Sequence, residues 1–283
     1  MSQQLTPPPA PTTGAATAPE PRGRSLARTI TIIGIIFIAL VLVSGILTAL
    51  AGRGAPTLEK TAKTDGVTAV QVNASAADLA ITFSENATQA ELHVTASSWQ
   101  GVREWKLDRV GDTLQVGDDN GWSPFTWIGF NGENATLVLP AALEGTVDAS
   151  LHLSAGSLTY TGDARAVEVD VSAGDLTFTG AAETVTATVS AGSAVVTTHD
   201  VRTVSAKVSA GGLTLKTTGE APERTAVEVS AGSATLTLPD VPYAVSGGSS
   251  AGDRHINVRQ DPSAPHSIQA DISAGDITIN PGN

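Results

Sequence analysis

The chain of 283 residues has no cysteine and only 4% aromatic residues. Without cysteine it can form neither a disulfide framework nor a thiolate metal site. Basic residues are scarce as well: 16 Lys and Arg stand against 28 Asp and Glu, a net charge of −12. Because an acidic chain repels phosphate backbones, nucleic acid is excluded as an expected partner.

Sequence signals for catalysis are also missing. No phosphate-binding loop is present, and the outward positions of the strands are mostly Thr and Ser with isolated charges such as Lys207 and Lys216. The lyases and hydrolases built on β-helices need Asp, Arg or Lys clustered on one face. We therefore expect that the protein is not an enzyme and that it uses no cofactor.

The chain has repetition instead. The tripeptide Ser-Ala-Gly occurs seven times in its second half, and the copies begin at Ser154, Ser172, Ser190, Ser209, Ser230, Ser250 and Ser273. The steps between copies are 18 to 23 residues long. A period of this size predicts a repeat architecture in which each copy is one layer of a stack.

Each copy alternates apolar and polar residues on both sides of the tripeptide. Val167, Val169 and Val171 precede it in one copy, with Leu176 and Phe178 after it, all on one face of an extended chain. This pattern predicts two strands of about five residues with a corner between them. One such unit buries too little apolar surface to be stable alone, so the copies must share a core.

These patterns predict an all-β fold, a repetitive β-solenoid made of stacked two-strand rungs of about 18–23 residues each. An antiparallel sandwich built from hairpins is the alternative, because Ser-Ala-Gly-Asp could also close a short hairpin loop. Repetition of the same tripeptide at the same point of each unit favours stacked corners. A degenerate copy at Ser75-Ala76-Ala77-Asp78, which lacks the glycine, predicts an irregular N-terminal rung.

Three motifs connect the chain to a known family. They are the corner SAGDLTFTG at 172–180, the hairpin GDTLQV at 111–116 and the strand end ATLVLP at 135–140. Through these motifs, residues 65–281 resemble the bacterial putative-adhesin domain of unknown function, a toast-rack-type β-solenoid. The resemblance implies a single-pass or secreted envelope protein with a role in adhesion or beside envelope-stress regulators. It implies no catalytic residues.

Residues 29–52 carry no charge and are dominated by Ile, Leu, Val and Ala. A helix of 22 residues spans about 33 Å, which is enough to cross a hydrocarbon core of about 30 Å. Arg22, Arg24 and Arg28 flank the segment on its N-terminal side, so we expect that side to be cytoplasmic. A cleaved secretory signal is the alternative, because Ala49-Leu50-Ala51 has the form of a cleavage site.

The domain organisation follows from this helix. Residues 1–28 are predicted to be a disordered cytoplasmic leader rich in Pro, Thr and Ala, and residues 29–52 one transmembrane helix. Residues 53–66 are predicted to be a linker. Residues 67–283 are predicted to be an extracytoplasmic β-solenoid with an aromatic insertion at 98–133. The expected location is the cell membrane, with a single pass.

The aromatic insertion, residues 98–133, contains all four tryptophans of the chain. Its candidate contact residues are Trp99, Trp105, Trp122, Phe125, Trp127 and Phe130. Tryptophan provides a large contact area, so the insertion is a candidate surface for a partner protein, a glycan or the membrane interface. A hydrophobic plug over the open end of the stack is the alternative interpretation.

Metal binding has weak support in the sequence. Asp175, Asp253 and Asp276 follow corner glycines, and Asp78 has the same place in the degenerate copy. Stacked carboxylates could hold Ca²⁺, but Ser or Gly replaces Asp in the other copies, so turn capping is favoured. The five histidines are scattered, and His152 is expected to be exposed. We expect no metal site.

Together these features predict a non-enzymatic, membrane-anchored protein of the cell envelope, with an adhesin role or an accessory role in envelope-stress signalling. An envelope protein or a glycan is the expected partner besides the membrane itself. The alternative is a carbohydrate-binding or carbohydrate-active β-helix that uses Trp122 and Trp127. A third reading is a spacer or assembly module, and the sequence leaves the oligomeric state open.

Overall fold

The computed structural model describes residues 57–96, 102–118 and 133–282. The predicted leader and transmembrane helix lie outside them. Within the described ranges, no helix combines the length and apolar character needed to span a bilayer. Regular structure there is almost entirely β, which confirms the predicted all-β class; a single 3-10 turn at Ala141–Leu143 is the exception.

The described residues form seventeen strands. They are β1 (Thr57–Ala62), β2 (Ala69–Ala74), β3 (Ala77–Ser84), β4 (Ala90–Ala96), β5 (Trp105–Val110), β6 (Thr113–Asp118), β7 (Glu133–Pro140), β8 (Asp148–Leu153), β9 (Gly156–Thr161), β10 (Ala166–Thr179), β11 (Thr184–His199), β12 (Thr203–Val208), β13 (Gly212–Thr218), β14 (Arg224–Leu238), β15 (Ala244–Ser246), β16 (Asp253–Ile256) and β17 (Ser267–Pro281). Strand β1 lies in the predicted linker. Its sequence has little strand character of its own, and its antiparallel pairing with β4 gives it the extended conformation.

The copies of the repeat pair side by side in parallel and in register. Ala173 and Gly174 of β10 lie opposite Ala191 and Gly192 of β11, so the strands before and after the corner form two continuous ladders. The first ladder joins β6, β2, β8, the first half of β10, the first half of β11, β12 and the first halves of β14 and β17, and ends at β15. The second ladder joins their partners after the corner, from β7 and β3 to β16.

The order of the rungs departs from chain order at both ends. Strands β2 and β3 lie between the rung of β6 and β7 and the rung of β8 and β9. Likewise, β17 lies between β14 and the short strands β15 and β16, although it follows them in sequence. At the C-terminal end the outer strands β15 and β16 therefore precede β17, which fills the gap beside them, whereas at the N-terminal end the outer rung of β6 and β7 follows β2 and β3 in sequence. At the N-terminal end, β4, β1 and β5 add antiparallel strands.

Inward positions follow the alternation in the sequence. Val167, Val169, Val171, Leu176 and Phe178 are each at most 2% exposed, as predicted. Their counterparts in most other copies are buried as well, down to Ile277 and Ile279 in β17, whereas Val245 and Ile256 in the outer strands β15 and β16 are only partly buried. Full burial of one such aliphatic side chain stabilises the fold by about 1.5–3 kcal/mol, so the shared core holds the layers together.

The corner glycines form a column of close backbone contacts. A side chain on Gly174 would overlap the carbonyl oxygen of Gly156, and Gly174 also has a φ of +99°. One on Gly192 would overlap the carbonyl oxygen of Gly174, and the overlap recurs at Gly211 and Gly232. The tripeptide repeats because each corner leaves room for no Cβ beside the previous corner. Ala77 begins the column, as the degenerate copy predicted.

Candidate functional site

The two strands of one terminal rung have no corner of the Ser-Ala-Gly type between them. Strand β6 ends at Asp118 and strand β7 begins at Glu133, and residues 119–132 connect them in the sequence. The middle of the aromatic insertion is regular, because β5 and β6 form a hairpin over Trp105–Asp118 with Gly111 at its turn. The GDTLQV hairpin and the ATLVLP strand are both present as predicted.

Arg103 connects the two ends of this interruption. Its main-chain N–H and its Nε donate to the two carboxylate oxygens of Glu133 at 2.6 and 3.0 Å. Its Nη1 lies 3.4 Å from Oδ2 of Asp118, and its Nη2 donates to the carbonyl oxygen of Ala76 at 2.6 Å. The side chains of Asp118 and Glu133 are completely buried, whereas that of Arg103 is 27% exposed.

These charged groups also satisfy main-chain groups of the first corner. In the regular rungs, the corners bond to each other through the main chain, as in Ala173 N–H to Ser154 C=O at 3.0 Å. At the first corner, Ser75 and Ala76 use side chains of the described residues for the same purpose. The carboxylate of Asp118 accepts from the N–H of Ser75 at 2.7 Å, and Arg103 satisfies the carbonyl of Ala76. Buried main-chain polar groups need partners, and here side chains supply them.

Trp105 is a core residue rather than a contact residue. Its side chain has no exposed surface, and its indole N–H donates to Oε2 of Glu133 at 3.1 Å. Of the candidate contact residues, Trp105 is thus placed in the core, the buried alternative that the sequence had left open: the residue starts β5 on the inward phase, and its polar edge completes the cluster around Glu133. Trp99, Trp122, Phe125, Trp127 and Phe130 lie outside the described residues.

A polar depression lies beside this cluster, on the outward surface of the first ladder. Its volume is about 250 Å³, and its lining includes Asn73, Lys106, Asp108, Gln115 and Gly117. Gly117 lies opposite Lys106 on one side and Asn73 on the other, so the missing side chain creates the depression. A Cβ at Gly117 would lie 2.7 Å from the carbonyl oxygen of Asn73, which explains why glycine is required there.

The same outward surface holds a group of three side chains from two rungs. The Ser150 hydroxyl lies 3.0 Å from Nε2 of His152, and Nδ1 of His152 lies 3.7 Å from Oδ2 of Asp170. Ser150 and His152 point outward from β8, and Asp170 lies beside His152 on β10. His152 is thus half-buried and hydrogen-bonded rather than simply exposed. The sequence contains the signal, since Asp170 follows His152 by one repeat period of 18 residues.

A larger groove lies near the other end of the first ladder. Its volume is about 660 Å³, and its polar lining includes Lys207, Glu228, Gln269 and Asp271. Hydrogen bonds from Gln269 and from the main-chain N–H of Gly248 lower the pKa of the Asp271 carboxyl. Residues 248–252 beside it have the sequence Gly-x-Ser-x-Gly, but they join β15 to β16 rather than a strand to a helix, so no nucleophile elbow is formed.

The residues after the corners line up in register, but Ser or Gly occupies four of the eight positions, namely Ser157, Ser193, Gly212 and Ser233. Ser157 donates to Asp78 at 2.6 Å and pairs in register with Asp175, and only Asp253 and Asp276 are neighbours. Among the described residues, no group of three or more His, Asp or Glu side chains has a geometry suited to a metal ion.

No family model matches the chain, and no curated protein matches it. Solved bacterial structures do resemble it in outline. One is described as a putative cell adhesion protein from Clostridium sporogenes ATCC 15579, at 13% identity and a TM-score of 0.36 over 80% of this chain and 99% of that one. Another is a putative adhesin from Bacteroides fragilis NCTC 9343, at 14% identity and a TM-score of 0.43 over 79% and 96%.

A third structure has a different description. It is a putative lipid binding protein from Parabacteroides distasonis ATCC 8503, with 12% identity and a TM-score of 0.43 over 78% of this chain and 96% of that one.

Proposed function

We propose that this chain is an interaction protein of the cell envelope, a β-solenoid carried outside the membrane by the helix at residues 29–52. It acts in an adhesin-like way, and the aromatic residues of segment 119–132 are its candidate contact residues for a partner protein. It performs this role by contact alone, and contact needs neither a cofactor nor a catalytic step.

The observation that carries the proposal is the anchoring of residues 119–132. Arg103, Asp118 and Glu133 fix both ends of this segment through buried, charge-assisted hydrogen bonds. Such bonds are stronger than neutral ones, and burial of the carboxylates makes them costly to break. A segment with two tryptophans and two phenylalanines between fixed ends has the composition of a protein contact surface.

Membrane topology provides the first test. The chain has no cysteine, so single variants Ser2→Cys and Thr218→Cys can each be labelled in intact cells with a membrane-impermeant maleimide. We expect labelling of Thr218→Cys and protection of Ser2→Cys until the cells are permeabilised. The opposite pattern, or equal labelling of both variants, would overturn the proposed location.

Partner binding provides the second test. A photo-crosslinking amino acid at position 125 should capture one envelope protein in intact cells. Trp127→Ala should abolish this capture, whereas Val110→Ala should preserve it. Val110 is the matched control because it is a hydrophobic residue, 58% exposed, on the neighbouring strand β5. Equal capture by the two alanine variants would contradict the assignment of the surface.

A glycan partner is the second candidate, because the polar depression of Asn73, Lys106 and Gln115 adjoins the start of the segment at Asp118. Amide and charged side chains of this kind bind sugar hydroxyls. In that case, soluble cell-wall saccharides should quench tryptophan fluorescence and Asn73→Ala should weaken the quenching. Photo-crosslinking to a protein should then fail.

A further inference from the structure

We propose that Ser150 is an activated nucleophile and that the chain hydrolyses carboxylic esters on the outward surface of the first ladder. Nucleophile, base and orienting carboxylate are the three parts of a serine hydrolase site, and their arrangement identifies such a site on any fold. Ser150, His152 and Asp170 have this arrangement. The activity goes beyond the proposed contact function and is independent of it.

The distances fit the roles. The separation of 3.0 Å between Ser150 Oγ and His152 Nε2 is within the range required of a nucleophile and its general base. When Nε2 accepts the hydroxyl proton, the ring carries its other proton on Nδ1, which faces Asp170 at 3.7 Å. At that distance Asp170 acts mainly as a negative charge that stabilises the imidazolium, and it is a positioning residue.

The register of the parallel ladder creates this arrangement. Ser150 and His152 are two residues apart, so they project from the same side of β8. Asp170 is the direct neighbour of His152 on β10, one strand spacing of about 4.8 Å away. No contiguous motif encodes such a site, because its parts come from different layers and are related only by the repeat period. The expectation that the chain is not an enzyme rested on missing motifs and on outward positions that are mostly Thr and Ser with isolated charges.

The neighbouring strand β2 supplies the group that would stabilise an oxyanion. Gln71 lies opposite Ser150 in the ladder, and Asn73 lies opposite His152. Main-chain N–H groups in these strands bond to adjacent strands, so a side-chain amide must donate to the oxyanion, a role that Gln fills in known enzymes. Asn73 also lines the polar depression, which offers space for the rest of an ester beside the reacting group.

The reaction balances with water as the only co-reactant. Ser150 Oγ forms a bond to the acyl carbon while His152 Nε2 accepts its proton, and the leaving alcohol then departs with that proton. Water attacks the acyl-serine and gives a proton to His152. The carboxylic acid leaves, and Ser150 regains its proton. Because His152 and Asp170 are 34% and 46% exposed, the site is open to esters carried on large molecules.

Glu168 competes with this chemistry. Its Oε2 lies 3.2 Å from the Ser150 hydroxyl, whose single proton can go to Glu168 or to His152. A hydroxyl bonded to Glu168 is not activated by the imidazole. We therefore expect Glu168→Gln, whose amide can donate a hydrogen bond to Oγ, to raise the reactivity of Ser150 several-fold.

The test uses the full-length chain in detergent micelles with two probes, a biotinylated fluorophosphonate and p-nitrophenyl acetate. The fluorophosphonate should label Ser150, as identified by peptide mass, and His152→Ala should slow labelling at least about 100-fold. Ser205→Ala is the matched control, because Ser205 has the same outward position three rungs away, where Lys207 stands in the place of His152. This variant should keep full reactivity.

The positioning role of Asp170 needs its own readout. Asp170→Asn should slow ester hydrolysis, and Asp170→Glu should restore part of the rate because it restores the charge. These side chains point away from the core, so circular dichroism should be unchanged in every variant. The proposal fails if the wild type is not labelled, if labelling persists in Ser150→Ala, or if His152→Ala and Ser205→Ala behave alike. None of these results depends on partner binding through Trp127.

Discussion

The glycine column at the corners yields the sharpest prediction, since neighbouring glycines differ in what surrounds them. A Cβ at Gly211 would overlap the carbonyl oxygen of Gly192 and approach Val189 Cγ1 to 2.7 Å and Gly192 N to 2.9 Å. A Cβ at Gly212, the next residue, would meet only Ser233 Oγ at 3.8 Å, an ordinary van der Waals contact. The substitutions Gly211→Ala and Gly212→Ala thus add the same methyl group and differ only in where it is placed.

The magnitude follows from the atoms involved. Two of the three atoms near Gly211 belong to the main chain of the adjacent corner, and the strand ladders fix that spacing. Overpacking of this kind costs about 1–3 kcal/mol. Gly212→Ala should be neutral or stabilising by up to about 1 kcal/mol, because alanine reduces the entropy of the unfolded chain. For a domain of this size, 1 kcal/mol shifts the melting temperature by about 2–4 °C.

Thermal unfolding of the full-length chain, followed by far-ultraviolet circular dichroism, measures the difference. Gly211→Ala should melt about 2–12 °C below the wild type, whereas Gly212→Ala should melt at or slightly above it. Gly211→Ala should also increase hydrogen exchange in the corners on both sides of it. Equal melting temperatures for the two variants would refute the argument that close stacking of the corners requires glycine at the third position of each Ser-Ala-Gly tripeptide.

Three further predictions concern charged and phenolic groups. Arg103→Met should destabilise the protein by about 3–5 kcal/mol in urea unfolding, because it leaves buried carboxylates without their cation, and adding Glu133→Gln should recover part of the loss. Arg165→Ala should leave the unfolding midpoint nearly unchanged, because the side chains of Arg165 and its partner Asp148 are 53% and 42% exposed and water screens their ion pair. Burial, and secondarily a nearby carboxylate, raises the pKa of Tyr243 to about 12, and burial also raises that of Tyr160. Tyr243 should thus contribute stability that is complete below about pH 10 and is lost as the pH rises toward 12. Tyr243→Phe should reduce this loss of stability. Tyrosinate absorbance that develops near pH 10 in the folded protein would contradict the assignment.

Much of the fold could be predicted from the sequence, because its strands are specified locally. Alternation at Val167, Val169 and Val171 identified the inward face, and Ser-Ala-Gly identified the corner. Gly111 marked a hairpin turn correctly. Strand β1 was missed because Thr57–Ala62 has little apolar contrast, and only its antiparallel pairing with β4 gives it a regular conformation.

The candidate sites were less accessible to sequence reasoning. Tryptophan composition identified the insertion, but composition does not separate a buried indole such as Trp105 from an exposed one. Glu133 lies 30 positions from Arg103, and Asp118 lies 43 positions from Ser75, and nothing in this spacing shows that both carboxylates are buried. The group around Ser150 could have been found by aligning the repeats, since Asp170 follows His152 by one period.

The sequence by itself determined the all-β class, the size of each layer and the residues that face the core, because these depend on alternation with a period of two and on corners that admit only small residues. Only the tertiary structure decided which layers are neighbours. Strands β2, β3 and β17 lie in the stack out of chain order. This is possible because any strand whose length and apolar alternation match those of its neighbours can pair with them. That choice of neighbours placed Gln71 beside Ser150 and Arg103 beside two buried carboxylates, and it is therefore what made the candidate sites.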